Sequence, residues 1–313
     1  MGLSSAELER HCQQILNDRR IKNKIVVLCE GKINNVDGRL SPQTYRKMEQ
    51  MPDANFYKKC VPKSWNDKPK PQFFNCGDRS SVIDTYFNLL KLSNLGQSYL
   101  NRTKLFALVD LDIQLHKIEN YQFSDTEQIF NNLYQATQVM AHKASLHFIW
   151  VTGLIHKEAY FIAPEMQTVF DNSTLEPQYS NLPILLKDLY FNMCQELTED
   201  TDLKSHFERV SQRINYCPQL NCNDLEQLKD CWNKEYIKSL DNQSIRELVL
   251  ALLTIIKAKK YWHQIEPPNY WTRESARFRE QLSLEIGEFY SKLDWHNPKY
   301  HLPYFYQTLY QLA

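Results

Sequence analysis

A mostly parallel α/β sheet with helices on both faces, followed by an α-helical region, is the fold class that this sequence predicts. Three observations carry it. Four short apolar runs alternate with helical periodicities over residues 1–162, the order expected of a parallel sheet. The first run, residues 25–29, is continuously apolar, as a strand buried on both faces is. Beyond residue 162 no strand-like alternation recurs, and the pattern reads as helices. The expected division is an α/β domain over 1–162 and a mainly helical domain over 163–313.

Residues 5–20 form a polar amphipathic first helix. Residues 25–29 (IVVLC) are the first strand, closed by Glu30-Gly31. Ser41-Pro42 pairs an N-cap residue with a first-turn proline, so a helix is expected from there to about Cys60. The second strand is 72–76, and Gly77-Asp78 turns the chain into a helix with Val82, Ile83, Tyr86, Phe87, Leu89 and Leu90 on one spacing, stopped near Gly96. The third strand, 104–109, runs into Asp110-Leu111-Asp112. Ser124-Asp125-Thr126-Glu127 fits a capping box and opens a helix expected to reach about His142. The fourth strand is 147–151. Pro164, Pro177 and Pro183 mark a connecting stretch. Ser244-Ile245-Arg246-Glu247 suggests a second capping box ahead of a long apolar helix, and the Tyr- and Pro-rich segment 297–313 is expected to pack back on the body.

Composition narrows the classes of function. The 313 residues are 42% hydrophobic, which is globular, and 37 Lys plus Arg balance 37 Asp plus Glu. A neutral chain has no global field for a polyanion, so nucleic-acid binding would need local patches. Eight cysteines, two of them in buried-strand runs, with no signal peptide at the amino end, point to free thiols in a cytoplasmic protein. The longest apolar run, 248–256, is too short to span a membrane.

Chemistry is expected at the carboxyl ends of the strands, where open parallel sheets bind their ligands. Glu30 stands after the first strand, Asp110 and Asp112 after the third. Residues two apart on a strand share a face, so both aspartates can serve one hard cation such as Mg²⁺ (or Mn²⁺). Lys58, Lys59, Lys63, Lys68 and Lys70, interleaved with aromatic residues, form a basic stretch suited to a nucleic-acid backbone. Lys257, Lys259 and Lys260 read as ordinary charges at a helix end. Cys217, Cys222 and Cys231 with His206 lack paired zinc-ligand spacing.

Residues 24–31 (KIVVLCEG) and 104–112 (KLFALVDLD) resemble the two signature motifs of the Toprim domain, shared by topoisomerases, primases and the overcoming-lysogenisation-defect nucleases. Residues 155–162 (IHKEAYFI) resemble a third motif of bacterial Toprim-like proteins of that nuclease type, some of which act in anti-phage defence. The resemblance covers residues 20–165. It implies a Toprim-like, Rossmann-like sheet and a Mg²⁺-dependent nuclease cleaving DNA or RNA phosphodiesters. Glu30 would be the general acid/base, with Asp110, Asp112 and Glu158 as metal ligands and Lys157 as a phosphate contact. It further implies nucleic acid as partner, an ATPase or other defence-system partner, and a homo-oligomer as a further option. A rival from another class is a non-catalytic sensing or scaffold module with a degenerate site. A third is a haloacid-dehalogenase-like phosphatase, which also carries a DxD after a strand, with the first Asp as nucleophile.

Overall fold

The computed structural model describes residues 3–33, 51–94 and 98–312. Four parallel strands make the central sheet: β1 (Val26–Cys29), β2 (Gln72–Asn75), β3 (Leu105–Leu111) and β4 (Ile149–Ile155). They lie side by side in the order β2-β1-β3-β4. Every strand residue is buried, the polar Gln72, Asn75, Asp110 and Thr152 included, which is why the runs are otherwise apolar. β3 and β4 both extend beyond their apolar runs, so Asp110 lies within β3.

That extension is irregular. Val109 pairs with Val151, but Leu111 pairs with Ile155, so β4 bulges at residues 152–154. The Thr152 hydroxyl takes over one ladder position, accepting the Leu111 N–H at 2.8 Å and donating to the Leu154 carbonyl at 2.8 Å. Gly153 fits the bulge because a Cβ there would lie 2.3 Å from Nδ1 of His301.

Helix α1 (Ser5–Leu16) starts with a reciprocal capping box between Ser4 and Glu7. Helix α2 (Pro52–Cys60) has Pro52 in its first turn. The helix start expected at Ser41-Pro42 and the stop at Gly96 lie outside the described residues. Helix α3 (Arg79–Leu92) is capped by Asp78, whose side chain accepts the Ser81 N–H at 3.0 Å. Helix α4 (Thr126–Leu133) is capped by Asp125 and stops nine residues short of His142. An antiparallel hairpin follows, pairing 134–135 with 138–139. Ala136 and Thr137 make its turn with φ of 45° and 62°, a conformation that ends any helix.

The strand order sets the location of the site. From β1 the chain crosses to β2 on one side, then returns past β1 to β3 and on to β4. Right-handed crossovers then place α2 and α3 on opposite faces. Accordingly, α2 packs on β2, whereas α3 packs on α1, β1 and β3. The direction of winding reverses between β1 and β3, so their carboxyl ends flank a crevice.

The remainder is mainly helical: α5 (Met166–Asn172), α6 (Leu186–Gln195), α7 (Thr201–Ser211), α8 (Leu225–Lys238), α9 (Asn242–Ile255), α10 (Lys259–His263), α11 (Ser275–Tyr290) and α12 (His301–Leu312). Among the described residues, strand in this half is confined to a small three-stranded sheet of two-residue pieces. The cap of α9 is Asp241, three residues before the expected Ser244, and it accepts the Ser244 N–H at 2.8 Å. Helix α12 does pack back on the body. Its Phe305 meets Trp150 of β4, and its Tyr306 meets Phe73 of β2, on which Tyr57 of α2 also stacks. One hydrophobic core runs through both halves. All eight cysteines are free. Among the described residues no helix is long and apolar enough to cross a membrane.

Candidate functional site

Glu30 and Asp110 meet across the β1–β3 pair. Oε1 of Glu30 accepts the Asp110 N–H at 2.8 Å. Burial pushes the Glu30 carboxyl well above the usual range, and the adjacent Asp110 charge pushes it further. Burial also raises Asp110, against the pull of Lys157. Two neighbouring acids that resist ionisation will share a proton or attract a cation.

Asp112 turns to another set of partners. Its Oδ2 lies 3.8 Å from the Arg79 guanidinium at the start of α3 and 3.9 Å from Nε2 of His156. Partial burial opposes its ionisation, but His156 and Arg79 outweigh that and hold its pKa down to about 2. His156 follows the β4 bulge with φ of 61°, and its backbone N–H bonds the Leu111 carbonyl at 3.1 Å. The strained backbone aims the imidazole at the crevice. Nδ1 of His156 and one Arg79 guanidinium nitrogen are buried without a hydrogen-bond partner.

The helical half grips the same strand end. Arg213, with its side chain 1% exposed, donates to both carboxylate oxygens of Glu127 at 2.9 and 2.6 Å and to the Asp112 carbonyl at 2.8 Å. Arg209 donates to the Ile113 carbonyl. Glu127, read from sequence as part of a capping box, is the buried counter-ion of this clamp.

Lys157 and Glu158 sit on the far side of Asp110. Lys157 Nζ lies 2.9 Å from Asp53 and 3.3 Å from Glu158. Burial alone would lower the lysine, but Glu158, Asp53 and Asp110 together raise it well above its ordinary value. Burial of Glu158 is likewise overcome by Lys157, which lowers that carboxyl. Asp53 is held in the first turn of α2 against Gly31. A Cβ on Gly31, whose φ is +148°, would lie 2.3 Å from an Asp53 carboxylate oxygen. Glu30-Gly31 therefore joins a site carboxylate to the one residue that lets Asp53 approach.

The structure thus gathers Glu30, Asp110, Asp112, Lys157 and Glu158, and adds Asp53, Arg79 and His156. The sequence signals for the additions were present but local: a proline-led helix start, a helix start after a strand, and a histidine just after a strand. The basic stretch is elsewhere. Lys59 and Lys63 lie 3.0 and 3.4 Å from Glu288 of α11. Lys59 is six residues beyond Asp53 on α2, about 9 Å along the axis. Lys58 is exposed on the same turn. By contrast, Lys257, Lys259 and Lys260 line an open cavity of 610 Å³ beside the carboxylates, together with His156 and His263.

Among the described residues, no three Asp, Glu, His or Cys side chains stand as a ready-made metal cage. Arg79 and His156 contact Asp112, and Lys157 bridges Asp53 and Glu158, so these carboxylates already face cations. The donor chemistry still fits a hard cation, because the donors are all oxygen. Two of them, Glu30 and Asp110, are buried side by side with raised pKa values. Mg²⁺ commonly takes only one or two carboxylates, with water and substrate phosphates completing its shell.

No family model matches the chain, and no solved structure matches it. Among curated proteins, sequences of Cytotoxin-L from Paraclostridium sordellii are 23% identical to it over 203 residues. That stretch is 63% of this chain and 8% of the toxin, so the chain spans a small fraction of the relative it matches. A similarity of this extent shows no family.

Proposed function

We propose that the protein is a Mg²⁺-dependent (or Mn²⁺-dependent) nuclease of Toprim-like design, acting on DNA or RNA phosphodiesters. The observation that carries this reading is the meeting of Glu30 and Asp110 at the carboxyl ends of adjoining strands, where the winding of the sheet reverses. Asp110 would hold the ion beside Glu30, and Asp112 or Glu158 would join it only on leaving its present cation. When bound, the ion neutralises charge building on the phosphate. Glu30, whose carboxyl is pushed well above the usual range by burial and by Asp110, is suited to move a proton to or from the attacking or leaving oxygen. Lys157 fixes Glu158 against Asp53 and is committed to that internal pair. Arg79 and His156 orient Asp112, and each keeps one buried nitrogen without a hydrogen-bond partner.

Cleavage of tRNA, single-stranded DNA and duplex DNA, with and without Mg²⁺, tests the reading. Asp110→Asn and Glu30→Gln should each reduce metal-dependent cleavage by about 10²-fold or more while retaining the wild-type circular dichroism spectrum. Wild-type protein inert on all three substrates, with partner proteins of its own cell supplied, would put the sensing or scaffold module ahead. Release of phosphate from small phosphomonoesters, with Asp110 essential, would instead favour the phosphatase.

A further inference from the structure

We infer that the cavity beside the carboxylates is a nucleotide pocket, which takes the phosphate of one nucleotide on Lys259 and the N–H edge of its base on Glu199. This rests on the nuclease reading for its choice of ligand and deepens it by naming the recognised unit.

The cavity lies between the end of β4 and helices α7 and α10. Its 610 Å³ suits a ligand of nucleotide size. His156 belongs both to its wall and to the surroundings of Asp112, so the cavity adjoins the carboxylate site through that side chain. Its lining carries both charges: Lys257, Lys259 and Lys260, and Glu196, Glu199 and Asp200.

Most of these charges are committed. Lys257 pairs with Asp202, and Lys260 pairs with Glu196, which also accepts the Tyr261 hydroxyl at 2.5 Å. Asp200 caps α7 by accepting the Leu203 N–H at 2.9 Å. Two exposed charges remain without an ion pair among the described residues: Lys259 and Glu199. Lys259 contributes, after Lys157 and His156, to holding the Glu158 carboxyl down.

A ligand matching this lining carries both an anion and N–H donors. A nucleotide with an amino-bearing base does so. Guanine fits best, because its N1–H and amino group can give one carboxylate two parallel hydrogen bonds. Uracil offers a single N–H and no amino group.

The test is calorimetric titration of the full chain, in chelator, with GMP, UMP and inorganic phosphate. GMP should bind roughly tenfold more tightly than UMP, the scale of one lost bidentate pair. Lys259→Gln should weaken both nucleotides by about tenfold, and Glu199→Gln should bring GMP down to the level of UMP while leaving UMP unchanged. Both side chains are exposed, so neither change threatens the fold. Failure of both nucleotides to bind would overturn the inference, as would inorganic phosphate binding as tightly as GMP, or insensitivity to Lys259→Gln. Asp110→Asn separates the two proposals. It should abolish cleavage and leave GMP binding in place. A wild-type protein that binds GMP but cuts no nucleic acid would sink the nuclease reading and keep the pocket.

Discussion

At the scale of single residues, the site holds two kinds of carboxylate, and they respond to pH in opposite directions. Burial raises Asp110 and Glu30 in the folded chain, so both take up protons on folding at pH values above the ordinary carboxylate range. Their ionisation therefore opposes folding, and stability falls as pH rises through that window. Asp112 and Glu158 are lowered, so their contribution is present above the ordinary carboxylate range and is lost as pH falls, for Asp112 toward about 2. Asp110→Asn should accordingly raise the melting temperature at pH 8, in the absence of divalent ions, by a few degrees, about 1 kcal/mol. The gain should shrink toward pH 4. An Asp110→Asn variant that melts earlier than wild type at pH 8 would mean that this carboxylate is kept for structural hydrogen bonds. Lys157→Met should do the reverse, because it leaves the buried Glu158 and the half-buried Asp53 without their cation, at a cost of about 3 kcal/mol in denaturant titration.

At the scale of elements, local signals placed the strands and misplaced some caps and ends. A continuous run of Val, Leu and Phe can only be buried, so four strands were legible. Their ends were not, because the last turns of β3 and β4 depend on a side-chain hydroxyl, that of Thr152, replacing a backbone partner. The caps at Asp125 and Asp241 each lie within three residues of the expected start, since Ser, Thr and Asp near a helix start all can cap, and packing selects among them. The helix end at Leu133 was hidden for a plainer reason: Gln135-Ala136-Thr137-Gln138 contains none of the residues that two-residue hairpin turns favour. Ala136 and Thr137 hold a left-handed backbone that suits neither, least of all the β-branched threonine. Replacing the pair by Asn-Gly should stabilise the protein by about 1–2 kcal/mol, read as a shift in the denaturant midpoint at constant slope. The Thr137 carbonyl that accepts from His301 is backbone and survives the change.

At the scale of the whole molecule, the division at residue 162 marks a change of pattern rather than a gap in the core. The candidate carboxylates were legible because strand order alone brings the ends of β1 and β3 together. Arg213 and the lysines of α10 were not, because they arrive from residues about 100 or more positions further along the chain, and nothing local marks them as neighbours of Asp112 or His156 respectively. The same long-range packing makes the halves depend on each other. Without α12, Phe73 and Trp150 lose Tyr306 and Phe305, and the sheet face they share turns to water. Without α11, Phe56 and Lys59 of α2 lose the surface around Gly287. Each large buried side chain so exposed forfeits about 1.5–3 kcal/mol, and a small domain has only about 5–15 kcal/mol in all. Residues 1–162 expressed alone should therefore fail to reach a native fold, and the full chain should unfold in one calorimetric transition whose van't Hoff and calorimetric enthalpies agree. Two resolved transitions, or a 1–162 fragment with sharp melting of its own, would show that the sheet keeps a sufficient core without its helical cover.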